Sequence, residues 1–265
     1  MRPQRVYDLA DPRVAEYRNL RDADLRSRGT FVAEGRLVVR ALLTGSRFRA
    51  RSVFVTEVAL EALRDVLEPL DDAVAVYVAT QDVMNAVVGF DIHRGCLASA
   101  ERGAGASAAE ISARPGPVVL LEDLTNHDNV GAIFRNAAAF GAAGVLLTER
   151  SCDPLYRKAV RVSMGGALRV PFARVADAPG AIGALREAGF TTIALTPSAE
   201  ATDIAEYRPP AGKRTALVLG SEGEGLSAAA LRACDARVRI AMAAGVDSLN
   251  VATAAAIALH RLGSR

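Results

Sequence analysis

Three short segments concentrate the polar residues that could do chemistry in this chain. The first is LGSEGEGLS, residues 219–227. Gly220, Gly223 and Gly225 allow the backbone to turn sharply or to come close to a ligand. Glu222 sets a carboxylate between glycines, just past an apolar strand. The segment is not a phosphate-binding P-loop, because GxxxxGK[ST] is missing, and no GxGxxG opens a helix at a strand end. Read without a ligand, it is a tight strand–helix turn with Glu224 in solvent. The second segment is VDSLNVATAAAI, 246–257, where Ser248 and Asn250 precede a helix of small residues. Both residue types cap helices, and Ser248 is placed as a possible N-cap. The alanine run permits close helix packing, either within the chain or between subunits.

The third segment is TNHDNVGAIFRNAAAFG, 125–141. Asn126, Asp128 and Asn129 are turn and cap residues. Arg135 lies off the Val130–Ile133–Phe134 face, so on its own it reads as a solvated arginine. Its forked guanidinium also suits a phosphate. His127 is either a base that titrates near neutrality or an ordinary polar loop residue.

The elements that position these segments alternate. PVVLLEDL, GVLLT, RVPFA, FTTIALT, TALVLG and ARVRIAM read as strands, with helices between most of them. Val130, Ile133, Phe134 and Ala137 give NVGAIFRNAAAFG a helical stripe, and Gly141 supplies its stop. Strand–helix alternation predicts an α/β fold with a mostly parallel sheet. Four polar loops, LEDLTNHDNVG, LTPS, GSEGEGLS and AMAAGVDSLN, follow four of these strands. Ligands on parallel sheets bind beyond the carboxyl ends of the strands, so the loops mark where a site should lie.

The segment ERGAGASAAEISARPGP, 101–117, is rich in Gly, Ala, Ser and Pro and reads as a linker. The expected organisation is therefore a small α/β domain at 1–103, a linker at 104–116 and a second domain at 117–265. Within the first domain, RGTFVAEGRLVVRALLTG reads as a short turn feeding a helix and RSVFVTE as a strand. VALEALRDVLEPL reads as one amphipathic helix, AVAVYVA as a strand and QDVMNAVVG as a helix.

Composition narrows the classes further. The 3 cysteines are scattered without a CxxC pair, which argues against a disulfide framework or a zinc ribbon, and His93, His127 and His260 are too dispersed to suggest a metal site. No apolar run reaches the length of a membrane span, and MRPQRVYDLADPR is followed by no apolar stretch, so the expected location is the cytoplasm. The net charge of +2 does not by itself indicate a nucleic-acid partner.

Taken together, NVGAIFRNAAAFG, LVLGSEGEGLS and IAMAAGVDSLNVATAAAIAL resemble, in order and spacing, the three motifs of the SpoU (TrmH-type) RNA 2′-O-ribose methyltransferases of the SPOUT superfamily. RVSMGGALRVPF, 161–172, is similar to the family's Ser-Gly-Ala segment, and the resemblance covers roughly 117–262. One departure is Ala241 in Ile240-Ala241-Met242, where the family usually has proline. More loosely, FVAEGRLVVRALL resembles the opening helix of the family's RNA-binding domain.

The resemblance implies a C-terminal SPOUT domain with a trefoil knot, a homodimer, S-adenosylmethionine as cofactor and no metal. Knots are rare enough that strand patterning could not have shown one. The implied catalytic residues are Arg135, with Asn129, Glu222, Ser248 and Asn250 positioning ribose, phosphate and Arg135 itself. The implied cofactor contacts come from Leu195, Thr196, Gly220, Ile240, Met242 and Leu249. Arg18, Arg21, Arg26 and Arg28 would suit RNA phosphates, or form a solvated basic helix. The implied substrate is ribosomal or transfer RNA. Two other readings stand beside this one: a nicotinamide-dependent α/β enzyme, against which the missing glycine fingerprint speaks, and a non-catalytic RNA-binding or assembly protein on a methyltransferase fold.

Overall fold

A computed structural model of the chain describes residues 2–92 and 95–262. His93 lies outside the described residues. The chain forms two compact units. One comprises Met1–Ala104 together with Leu155–Arg169, and the other Gly105–Pro154 together with Val170–Arg265.

The first unit is built on five strands: β1 (Gln4–Arg5), β2 (Thr30–Glu34), β3 (Ala50–Thr56), β4 (Ala75–Ala79) and β5 (Cys96–Glu101). Their order is β1-β4-β3-β5-β2, with β5 antiparallel to both neighbours and the other pairs parallel. Besides the two-residue β1, which was not expected, two of these strands differ from the sequence reading. TFVAE was expected as a turn, but Phe31, Val32 and Ala33 are buried and pair with Ser99–Ala100 and Ala98 in β5. β5 itself, CLASAE, was not expected, because its small residues carry no alternating signal and its strand state is imposed by neighbours on both sides. The expected helix 58–70 is broken at Leu63 into Glu57–Ala62 and Arg64–Leu67.

Leu155–Arg169, expected within the second domain, groups with the first unit. The helix Arg157–Val162 packs on β2 with Ala159 and Val160 fully buried, and polar pairs add to this: the Arg157 backbone N–H donates to Asp22 Oδ1 at 3.0 Å, and Arg157 and Arg161 both pair with Glu34, at 3.6 and 3.0 Å.

The second unit carries seven strands: β6 (Val118–Leu121), β7 (Gly144–Thr148), β8 (Phe172–Val175), β9 (Phe190–Leu195), β10 (Thr202–Asp203), β11 (Arg214–Leu219) and β12 (Ala236–Arg239). The order is β10-β12-β9-β11-β6-β7-β8 and every pairing is parallel. β6 is buried along its whole length, as a parallel strand covered on both faces should be. Leu120, Leu146, Ile182 and Val218 belong to one core cluster. Truncating one of them, as in Leu120→Ala, would cost about 2–5 kcal/mol.

Part of the expected linker is structured. Ser107 and Glu110 form a capping box on a helix at Ala108–Ala113, whose Ile111 is fully buried in the same core. A β-carbon at Gly144 would stand 2.7 Å from Ile111 Cγ2, so the bare glycine in β7 is what lets this helix lie close. The composition of 104–116 concealed the helix because a single buried residue gives no periodicity.

Candidate active site

The site is assembled from loops at one edge of the second sheet. β12, β9, β11 and β6 are neighbours and parallel, so the four polar loops that follow them emerge on the same side. Register places Leu121 beside Leu219, and Leu195 beside Val238. Glu122, Gly220 and Thr196 then stand one residue past their strands. The Glu122 N–H donates to the Leu219 carbonyl at 2.8 Å and the Thr196 N–H to the Val238 carbonyl at 3.0 Å, which carries the pairing one step beyond the strands.

The helix His127–Ala139 begins at this edge because Asn126 caps it, accepting from the N–H groups of Asp128 and Asn129. Its end is a Schellman turn: Gly141 has φ +64°, and the Ala142 N–H donates to the Ala137 carbonyl at 2.9 Å. Val130, Ile133, Phe134 and Ala137 are buried, which turns Arg135 outward. Arg135 is exposed, and its guanidinium meets no partner among the described residues.

The C-terminal helix Val251–Leu262 packs beside it. Its N-cap is Asn250 rather than Ser248. Asn250 Oδ1 accepts from the N–H groups of Ala252 and Thr253 at 2.9 and 3.2 Å, and its own carbonyl takes the first helical bond, from Ala254. Ser248 lies two residues upstream, exposed. Asn136 ties the two helices together by donating to the Ala252 carbonyl at 2.8 Å.

Three of the expected site residues are hydrogen-bonded in a row. Asn250 Nδ2 donates to Asn129 Oδ1 at 2.8 Å, and Asn129 Nδ2 donates to Glu222 Oε1 at 2.7 Å. Asn129 is buried, so its two amide atoms are both committed to partners from other loops. Glu222 sits on a loop whose two ends touch: a β-carbon at Gly220 would fall 2.2–2.3 Å from the backbone of Gly225 and Leu226. Only glycine permits that closure.

Leu195, Thr196, Gly220 and Ile240 stand at the carboxyl ends of β9, β11 and β12, three adjacent strands. Met242 and Leu249 lie on the loop after β12, half-buried and exposed respectively. This edge offers backbone polar groups beside apolar side chains, a donor set suited to an adenosine-bearing ligand.

Sequence reasoning missed the groups that hold these loops in place. Glu122 Oε1 accepts from Ser227 Oγ at 2.7 Å and Glu122 Oε2 from the Ser227 N–H at 2.8 Å. Arg174 donates to the carbonyls of Thr148, Ser151 and Cys152, fixing the loop after β7. Thr148 Oγ1 donates to Asp123 Oδ1 and accepts from its N–H, both at 2.8 Å, and so holds a residue at φ +54°. The signal available in sequence was weak: a carboxylate directly after β6 and a serine directly before a helix. Burial, then Asp153, pushes the nearby Cys152 thiol up to about 12.

In the first unit, the four expected RNA-binding arginines do not share one basic helix. The helix Asp22–Ser27 is 6 residues long and carries two aspartates, with Arg21 and Arg28 at its caps and Arg26 in its last turn. These three are exposed. Arg18 is half-buried, and its Nη2 donates to the Asp11 carbonyl at 2.6 Å.

Among the described residues, no three His, Cys, Asp or Glu side chains gather to hold a metal, and no helix is long and apolar enough to cross a membrane.

Comparison with known proteins identifies the family and the fold. The sequence pattern of the SpoU rRNA Methylase family matches residues 116–260. An uncharacterized tRNA/rRNA methyltransferase of Mycobacterium tuberculosis is 44% identical over 263 residues, covering 97% of this chain and 90% of the relative. The fold matches that of an AdoMet-bound rRNA methyltransferase from Sinorhizobium meliloti with a TM-score of 0.82, at 26% identity over 98% of this chain and 97% of that one. It also matches a protein described as an RNA 2′-O ribose methyltransferase with a TM-score of 0.78, at 27% identity over 98% of each chain. The chain belongs to the SpoU rRNA Methylase family, whose members are RNA methyltransferases that use S-adenosylmethionine.

Proposed function

We propose that this protein methylates a ribose 2′-hydroxyl of ribosomal or transfer RNA, acting in the cytoplasm as a homodimer whose second unit is a trefoil knot. The observation that carries the reading is the row Asn250–Asn129–Glu222, with Arg135 exposed on the same helix as Asn129. The solved 2′-O ribose methyltransferase that shares the fold supports the choice of a hydroxyl acceptor.

When bound, S-adenosylmethionine supplies an electrophilic methyl group on a sulfonium. What remains is to hold an alcohol in line with that group while its proton passes to solvent water. A guanidinium is a poor base, because it keeps its proton at all working pH. Arg135 therefore acts as a clamp on a phosphate next to the target ribose, a role suited to its forked donors. Asn129 and Asn250 are held rigidly enough to fix the ribose, and Glu222 orients Asn129. Leu195, Thr196, Gly220 and Ile240 would hold the cofactor through backbone atoms, with Met242 and Leu249 against its base.

Dimerisation is supported by apolar exposure around the C-terminal helix: Val246 is 49% exposed, Leu249 38% and Ile257 37%. Ser248 meets no partner among the described residues, so we assign it to a site completed by a second copy. In the first unit, Arg21, Arg26 and Arg28 are assigned to RNA phosphates. Ribose-methylation mapping of total RNA, with and without the protein in the producing cell, tests the function and names the nucleotide. One ribose methyl group should be missing from ribosomal or transfer RNA when the protein is absent. An unchanged map with a lost base methylation would overturn the reading.

A further inference from the structure

We infer that Glu122 is a positioning residue for cofactor binding: it clamps the neck of the loop 220–226 and so keeps that loop closed. The inference rests on reading this loop as part of the cofactor cradle.

Glu122 is buried and follows β6 directly. It holds both ends of the loop at once. Its backbone N–H donates to the carbonyl of Leu219, the last residue of β11 before the loop. Its carboxylate takes two bonds from Ser227, the first residue after the loop, one from the hydroxyl and one from the N–H, at 2.7 and 2.8 Å. Ser227 in turn caps the following helix, its Oγ accepting from the Ala230 N–H at 3.1 Å. A two-point bond between a carboxylate and one residue fixes orientation as well as distance. The loop between these ends is short and glycine-rich. It has one internal bridge, Ser221 to Gly225, at 3.2 Å. Three glycines leave the loop little stiffness of its own, so its closed shape depends on how its neck is held. The side chain of Glu222, which reaches Asn129, rides on that shape.

Glu122 therefore acts on the reaction through Gly220 and Glu222 without touching the reacting atoms. Glu122→Gln keeps the size but replaces one charged acceptor with an amide N–H₂, so the Ser227 hydroxyl must turn to accept and both bonds lose their charge assistance. The cofactor should then bind about tenfold more weakly, while RNA affinity stays within about twofold. Ser227→Ala keeps the carboxylate and removes only the hydroxyl bond, so it should weaken cofactor binding about threefold. If the two act as one clamp, the double variant should bind no more weakly than Glu122→Gln alone.

The experiment is calorimetry of the full-length protein and both single variants with S-adenosylhomocysteine. It is paired with hydrogen exchange of the 220–227 amides and with KM for S-adenosylmethionine and for RNA. The expected result is a raised cofactor KM, an unchanged RNA KM and faster exchange at 220–227 in the variants. If the wild-type protein binds S-adenosylhomocysteine without protecting 220–227, the cradle reading fails. If it protects them and both variants bind equally well, the clamp is overturned. Should Glu122→Gln fail to fold, Ser227→Ala decides alone: wild-type affinity overturns the clamp, and a threefold loss with unchanged RNA KM supports it.

Discussion

Asn250 and Asn129, 121 positions apart in the sequence, are joined side chain to side chain at 2.8 Å. Asn250 donates its amide to Asn129 while its oxygen caps the C-terminal helix. The two tasks are separable by mutation. Asn250→Ala loses both, and the lost cap should cost about 1 kcal/mol of stability. Asn250→Asp keeps a capping oxygen but has no N–H for Asn129. It should lower the thermal midpoint only through the buried Asn129 oxygen left without its donor, while single-turnover methylation falls at least about tenfold. A full rate in Asn250→Asp, measured at saturating RNA and cofactor, would show that the row of amides does not serve the reaction.

Arg135 is the second test of the site. Arg135→Ala should reduce single-turnover methylation by about a hundredfold or more, with cofactor affinity preserved and RNA affinity only modestly weaker. Arg135→Lys should not restore the rate, because an ammonium lacks the planar fork. Cofactor calorimetry and rapid-quench methylation on the same preparations separate these effects. Normal turnover in Arg135→Ala would remove it from the catalytic assignment.

The N-terminal arginines should divide into two kinds. Replacing Arg26 and Arg28 with alanine should weaken RNA binding and reduce its salt dependence by about one ion for each phosphate no longer neutralised. Cofactor binding should not change. Arg18→Ala should instead lower stability, because its guanidinium is bonded to the Asp11 carbonyl. Filter binding across a salt series, with thermal melts of each variant, reads both. Normal RNA binding by the Arg26/Arg28 variant at every salt concentration would make these residues a solvated face.

Stability should decline in alkali. Burial raises the thiols of Cys96, Cys152 and Cys234 from an ordinary 9.0 to about 12. Burial also raises the phenol of Tyr17 well above its usual range. The folded state then holds protons that the unfolded state releases. Stability is full below the unfolded thiol value and is lost as pH rises from about 9 toward 12. Urea midpoints should fall between pH 8 and pH 10. A constant or rising midpoint would mean that the thiols are not shielded.

What was legible in the sequence is what repeats or terminates. The buried strands of the second unit were visible because parallel strands covered on both faces are apolar throughout, as in VVLL and TALVL. The four polar loops pointed to one edge because they each followed such a strand. What was not legible depends on partners far along the chain. β2 and β5 are strands because they pair with each other, not because TFVAE or CLASAE must be extended. Ser248 and Asn250 are equally good caps by type, and the helix starts at Val251 because it is the Asn250 oxygen that takes the N–H groups of Ala252 and Thr253. Leu155–Arg169 joins the first unit through Glu34 and Asp22, residues more than a hundred positions earlier.

Transfer of the methyl group to a ribose oxygen is read directly by alkali. RNA cleavage by alkali requires a free 2′-hydroxyl beside the phosphate. The protein should be incubated with ribosomal and transfer RNA and S-adenosylmethionine labelled in the methyl group, and the product hydrolysed in alkali. Label should appear in an alkali-resistant dinucleotide, with no such label when Arg135 is alanine. Label released entirely as base-methylated mononucleotides would contradict it.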